Sequence, residues 1–351
     1  MVILMLDLID ARIKFQPIIK TINLIIQLLA QPFIISFSIG NVLGFIGAVN
    51  PVGILGSLIA LGVYVIFNLS YAQQIVKLIN SNIFRLLWII YFFQIAIAPP
   101  AYFEMYETND NWMGTLLTTG AIGAVTYAVV IIKIMKHWHF GDPVSLIRDS
   151  AKSNFVVVTV YVLLTLLFLY SDLVSTNGLE KLTSFSIWKL LLTTVEAAIG
   201  EEFLCRYGIL TLLLDFVRNF RLRIPIAILG SSLIFALFHF LNLSHQNLSL
   251  TIYQFCFTAI SGIFFALIFL YTGHLEMVVL IHFLFDFSSS LTSGNASLTG
   301  NITLSDYQSI INLAILMLIL LIWMMFGKRH QVMERNAKIL IKSKVVQNNA
   351  K

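Results

Sequence analysis

Three short patterns in the carboxyl-terminal half of the sequence set acids and histidines at spacings that suit acid–base chemistry. The first is Glu201-Glu202-Phe-Leu-Cys-Arg206. On a helix, Glu202 and Arg206 are i,i+4 neighbours with the acid on the amino-terminal side, the favourable order for an ion pair. That pair neutralises itself. Glu201 points about 100° away and has no built-in partner. An unpaired carboxylate in apolar surroundings must take up a proton, find a cation or do chemistry. The expected division of labour is therefore a structural Glu202 and a reactive Glu201. The second pattern is Phe235-Ala-Leu-Phe-His239. A lone histidine beside aromatics is more often a core residue, and with 28 phenylalanines in the chain the Phe spacing alone carries little. The third is His282-Phe-Leu-Phe-Asp286, where i,i+4 spacing puts both side chains on one helix face. Asp286 could orient the imidazole, or both groups could face a shared cavity.

Together these patterns supply the parts for amide hydrolysis without a covalent intermediate. A glutamate and histidines can hold and deprotonate a water, and a histidine with an acidic or amide partner can stabilise an oxyanion. A nucleophilic Ser or Cys is less favoured. Cys205 lies off the Glu202–Arg206 line on a helix, and no Ser falls in a nucleophile-elbow pattern.

The elements that must position these groups follow from composition. The chain has 351 residues, 58% hydrophobic and 11% charged, against about 25% charged for a soluble domain. Between Lys20 and Lys77 lie 56 residues without a single Asp, Glu, Lys or Arg. A soluble enzyme, a nucleic-acid-binding domain and a disordered protein are excluded. Apolar runs at roughly 22–48, 52–69, 86–103, 113–132, 155–171, 185–217, 224–241, 250–272, 275–291 and 307–326 are long and not alternating, so helices are expected and not barrel strands. The fold class is all-α, a polytopic transmembrane bundle of about 8–10 helices. The sixth run is too long for one straight crossing and could be kinked near Gly200. In-membrane charges cost at least about 2.5–3.5 kcal/mol near the bilayer centre. They concentrate in the sixth to ninth runs, as Lys189, Glu196, Glu201, Glu202, Arg206, Asp215, His239, Glu276, His282 and Asp286.

With a cytoplasmic amino terminus, nineteen Lys and Arg fall in inner segments and one, Lys181, in an outer one. That positive-inside pattern puts both termini in the cytoplasm and explains the net charge of +5 without an anionic partner. The two cysteines, Cys205 and Cys256, sit in apolar runs and make no disulfide framework. No cleaved signal peptide is expected. The expected organisation is an amino-terminal transmembrane extension of about four helices over 1–152, a core over 153–326, and a basic cytoplasmic tail over 327–351. The tail's weak periodicity would allow a short amphipathic helix lying on the membrane.

Glu-Glu-x-x-x-Arg, then Phe-x-x-x-His, then His-x-x-x-Asp, in order on successive transmembrane helices over about 185–291, resembles the CPBP family. These are the CAAX proteases and bacteriocin-processing (Abi) proteins, which include the type II CAAX prenyl endopeptidases. The resemblance implies that Glu201 activates the attacking water with His239 helping to hold it. It implies that His282 and Asp286 form an oxyanion-stabilising pair, and that Glu202 and Arg206 are the structural ion pair. Many members have Asn at the position of Asp286; an ionised Asp cannot donate to an oxyanion, though a protonated one can, or it can orient His282. A zinc would also explain Glu201, His239 and His282 as ligands. The family's glutamate mechanism needs no metal and no His-Glu-x-x-His helix is present, so no cofactor is expected to be required.

The leading reading is an intramembrane endopeptidase acting on a membrane-associated peptide or protein in the plasma membrane of a bacterium. Its partners are the lipid bilayer and that substrate, with no nucleic acid. A non-catalytic immunity or scaffolding protein is the alternative, because some family members are known through bacteriocin immunity. A proton-coupled transporter is less favoured, since the chain has no repeated half.

Overall fold

Inside a bilayer every backbone polar group must be satisfied within the protein, which restricts spanning segments to helices or closed barrels. The computed structural model describes residues 16–49, 54–98, 115–116, 118–143, 159–166, 184–293 and 301–341, and the regular elements among the described residues are all helical. In chain order they are α1 (Gln16–Val49), α2 (Ile54–Gln74), α3 (Asn82–Ile97), α4 (Ala121–His137), α5 (Ser184–Glu202), α6 (Leu210–Phe216), α7 (Arg223–Phe238), α8 (Leu248–Thr272), α9 (Leu275–Ser293), α10 (Leu304–Met324) and α11 (Gly327–Ile341). A π-helical turn, Phe203–Ile209, joins α5 to α6, and a 3-10 turn, His239–Ser244, follows α7.

Six of the described helices are long and apolar enough to cross a membrane: Pro17–Val42, Leu58–Leu78, Arg223–Ser244, Leu248–Thr272, Leu275–Ser293 and Leu304–Met324. Helix α3 is apolar but shorter. Helix α5 has 19 residues but carries Lys189, Glu196, Glu201 and Glu202. Of the run expected at 155–171, only 159–166 falls among the described residues.

Local chemistry sets the ends of these helices. Asn247 caps α8, its side chain accepting from the Leu250 N–H at 2.8 Å, and Gly273 ends it in the left-handed region at φ 77°. Thr303 and Asp306 form a reciprocal capping box on α10. Along α10, Ile311, Ile315, Leu318, Ile319 and Ile322 are exposed on one stripe, a face suited to lipid rather than water.

Helices α7 and α8 pair closely, α5 lies between α9 and α4, and α2 and α3 pack on α4. One large cluster runs through both halves of the chain, joining Phe92, Phe93 and Tyr127 to Leu204, Tyr207, Phe264 and Phe269. Helices α3 and α4, which belong to the expected amino-terminal extension, thus share a core with the segment that carries the acid and histidine motifs.

Two sequence expectations gain detail. Near Gly200, helical backbone continues through the glycine and the irregularity is a π-helical turn that begins at Phe203. Gly200 itself serves close packing, since a Cβ there would stand 2.8 Å from Phe93 Cε2. The start of the expected tail, residues 327–341, is a helix with one face packed on protein. It buries Met333, Asn336, Ala337 and Leu340, and leaves Lys328, Gln331, Arg335 and Lys338 exposed on the other side. Asn336 donates to the carbonyls of Leu270 (2.9 Å) and Tyr271 (3.1 Å), satisfying orphan acceptors at the end of α8. Glu334 pairs with Arg223 at the start of α7, and the Gly141 N–H donates to Leu340 O at 2.7 Å. Residues 342–351 of the expected tail lie outside the described residues.

Replacing Asn336 by Leu keeps the volume and strands two buried carbonyls. Stability should fall by about 1–3 kcal/mol, read as a lowered midpoint of thermal unfolding in detergent; an unchanged midpoint would contradict the capping role.

Candidate active site

The site is built around a carboxylate that cannot reach solvent. Glu202, the last residue of α5, is 0% exposed. Its Oε2 lies 3.1 Å from Arg206 Nε, and its Oε1 lies 2.7 Å from His282 Nδ1. A carboxylate only accepts, so the His282 Nδ1–H donates to Glu202, and the tautomer follows from that partner. Arg206 is 1% exposed, and its guanidinium lies over the rings of Phe235 at 4.6 Å and Phe265 at 5.2 Å. Its two terminal nitrogens have no hydrogen-bond partner among the described residues, so aromatic faces supply most of their surroundings.

The other nitrogen of the same imidazole faces outward. His282 Nε2 is 3.2 Å from Asp286 Oδ2 and 3.8 Å from Glu201 Oε2. The first contact needs one hydrogen, carried by Nε2 or by a protonated Asp286. The second is an ion-pair distance too long for a direct hydrogen bond. Exposure rises along this line: the side chain of Glu202 is 0% exposed, that of Glu201 26% and that of Asp286 40%. The inner carboxylate orients the ring, and the outer two can meet a substrate or water.

His239 opens the 3-10 turn after α7. Its Nδ1 lies 3.1 Å from Phe235 O, a carbonyl that can only accept, so Nδ1 carries the hydrogen and Nε2 keeps its lone pair. Helix-rise counting from the expected span boundaries puts His239 and His282 at opposite depths of the membrane. The structure brings them to one place through a shared neighbour: the Phe235 ring meets His239 edge-on at 5.1 Å and His282 at 6.2 Å between centroids. Phe265 stacks on the other side of His282 at 5.0 Å.

The structure thus gathers Glu201, Glu202, Arg206, His282 and Asp286 by direct contact, and His239 through Phe235. Sequence reasoning missed the Glu202–His282 bond, because the partners lie 80 residues apart. It also missed Phe265, which carries no signal among so many phenylalanines. The π-helical turn begins one residue after Glu202 and contains Arg206; the Leu210 N–H reaches back five residues to Cys205 O. Such turns widen a helix locally and cluster at functional sites. Among the described residues no three His, Cys, Asp or Glu side chains stand in an arrangement that could hold a metal ion.

Fold and site together describe an all-helical protein of the membrane-spanning kind, with an acid–histidine constellation buried among its helices. Residues 183–288 match the family model described as Type II CAAX prenyl endopeptidase Rce1-like, a match consistent with the CAAX protease family. That segment holds all six residues of the constellation and is under a third of the chain. No curated protein and no solved structure matches the chain.

Removing one member of a buried ion pair leaves the other uncompensated, at a cost of about 3–5 kcal/mol. Arg206→Met should therefore lower unfolding stability in detergent by that order. Adding Glu202→Leu should recover only part of the loss, because His282 Nδ1 then also loses its acceptor. Full recovery in the double variant would show that the Glu202–His282 bond contributes nothing.

Proposed function

We propose that the protein is an intramembrane endopeptidase that hydrolyses a peptide bond in a membrane-associated peptide or protein. The single observation that carries this reading is the arrangement around His282. One nitrogen is fixed by a buried carboxylate, and the other faces two partly exposed ones. The family match over the same segment supports peptidase chemistry there.

In this reading Glu201 is the general base, and the lone pair on His239 Nε2 helps hold the attacking water. Glu201 takes one proton from the water as its oxygen bonds to the carbonyl carbon, and the electron pair of the C=O moves onto oxygen. His282 and Asp286 face that oxyanion, with the hydrogen between them as donor, while Glu202 keeps the ring in register. When the C–N bond breaks, the leaving nitrogen takes the proton held by Glu201. Water is consumed, and an acid and an amine are released. No step requires a metal.

The family's name refers to prenylated CAAX ends. The Asp at position 286 keeps the proposal at the broader level of a membrane-associated peptide. The Lys and Arg distribution supports both termini on the cytoplasmic face of the membrane, with the basic face of α11 turned to the cytoplasm.

Glu201→Gln and His239→Ala should each lower kcat on a cleaved peptide by about 100-fold or more, with purified protein in detergent or proteoliposomes. Wild-type cleavage by both variants would overturn the mechanism.

A further inference from the structure

Glu202 fixes one point of the His282 ring, and one point does not fix a plane. The last torsion of a histidine, about the bond to its ring, is broad and roughly two-fold rather than staggered. A hydrogen bond tolerates some swing about that torsion, since it weakens steeply only below about 120° at the hydrogen. The bond from Nδ1 to Glu202, at 2.7 Å, therefore leaves the ring room to rock. A group that takes part in catalysis has to hold its direction within about 10–20°. Contacts on the faces of the ring must supply the rest.

Phenylalanines make those contacts. Phe265 of α8 stacks on His282 with 5.0 Å between centroids and 28° between planes. Phe235 of α7 meets the same ring nearly at right angles, at 81° and 6.2 Å. To rock, the imidazole would have to drive an edge into the face of Phe265. That face cannot give way easily, because Phe265 is itself held. It is 1% exposed and stands 5.8 Å from Phe285, three residues after His282 on α9. The Arg206 guanidinium lies 5.2 Å from its centroid. One ring thus touches both partners of Glu202, the cation and the imidazole. Helix α8 carries no acid, base or histidine of its own. Phe265 is what it brings to the site.

We propose that Phe265 is a positioning residue: its face sets the plane of the His282 imidazole while Glu202 holds Nδ1, so that Nε2 stays aimed at Asp286 and the oxyanion. Phe265 acts only through His282. The inference rests on the endopeptidase reading for the rate it governs, whereas the immobilised ring stands apart from that reading. Packing alone would make the buried phenylalanines of α8 equivalent, and positioning singles out one of them. Phe269, one turn further along α8 and 0% exposed, provides the comparison.

The test has two arms, on full-length protein in nanodiscs. Phe265→Leu and Phe269→Leu each remove one buried ring, and both should lower the midpoint of thermal unfolding. Below both midpoints, Phe265→Leu should lower kcat on a cleaved peptide by about 10–100-fold with KM unchanged. Phe269→Leu should keep the wild-type kcat, and Phe265→Tyr, which keeps the ring, should retain most of it. Equal kcat losses in the two leucine variants, or an effect of Phe265→Leu on KM alone, would overturn the positioning role. The second arm is NMR of protein labelled with nitrogen-15 histidine, the His282 signals being those lost in His282→Asn. Wild type and Phe269→Leu should show one sharp set of imidazole signals for His282, and Phe265→Leu a doubled or exchange-broadened set. A single sharp set in Phe265→Leu would overturn the proposal. If wild-type and Glu201→Gln proteins are equally silent on all peptides, the endopeptidase reading fails, and the NMR arm still decides whether Phe265 holds the ring.

Discussion

A carboxylate moved from water into a low-dielectric interior costs several kcal/mol even after its surroundings relax. Glu202 is in that position, and among the described residues Arg206 and His282 offset the cost. Both must arrive with the right atoms. Arg206 comes from the same helix one turn on, so local geometry supplies it. His282 comes from α9, which must dock on α5 at one height and one rotation for Nδ1 to reach Oε1. The requirement propagates: α9 is placed by α5, and α7 and α8 are placed by the rings of Phe235 and Phe265 against Arg206 and His282. A buried ion pair is weak evidence for stability in itself. Here it sets which arrangement of apolar helices is allowed, where hydrophobic packing in lipid discriminates poorly among alternatives.

The reacting edge inherits its order from that buried centre. With Nδ1 committed to Glu202, only Nε2 can face Asp286 and Glu201. The groups that must meet substrate are thus the more exposed ones, carried on a ring that they do not themselves have to hold. This separates rigidity from access: the charge that fixes geometry is hidden, and the charges that can act are open. Helix α11 does comparable work at one end of the bundle, where Asn336 and Glu334 occupy polar groups that α7 and α8 would otherwise leave unpaired.

Much of this was legible in the residues. Low charge and long apolar runs specify a helical membrane protein, and i,i+4 spacing brings Glu202 to Arg206 and His282 to Asp286, because helix geometry acts within one turn. Contacts between helices were not legible in the same way. Nothing in either motif says that Glu202 serves His282, or that Phe235 and Phe265 are the rings that matter among 28. Counting residues along straight, untilted spans sets His239 and His282 apart, whereas the Phe235 ring meets both. Gly200 suggested an irregular helix because glycine weakens helices; the π-helical turn follows three residues on, and the close approach of Phe93 to Gly200 has no signal in the sequence. The basic stretch after α10 suggested a tail because its charges dominate its composition, while four buried residues decide its structure.

The π-helical turn from Phe203 to Ile209 has a consequence for how the chain tolerates changes in length. A wide turn holds one residue more than an ordinary helix needs to cover the same rise. Removing a residue from 203–209 would let the backbone close into regular helix without any break. Because the wide turn covers the same rise with one residue more, α5 and α6 would keep their relative rotation, and Glu201 and Glu202 would keep their neighbours. In this short interval the helix can lose a residue without turning its two ends relative to one another, whereas a deletion inside the regular helix on either side would rotate one end by about 100°.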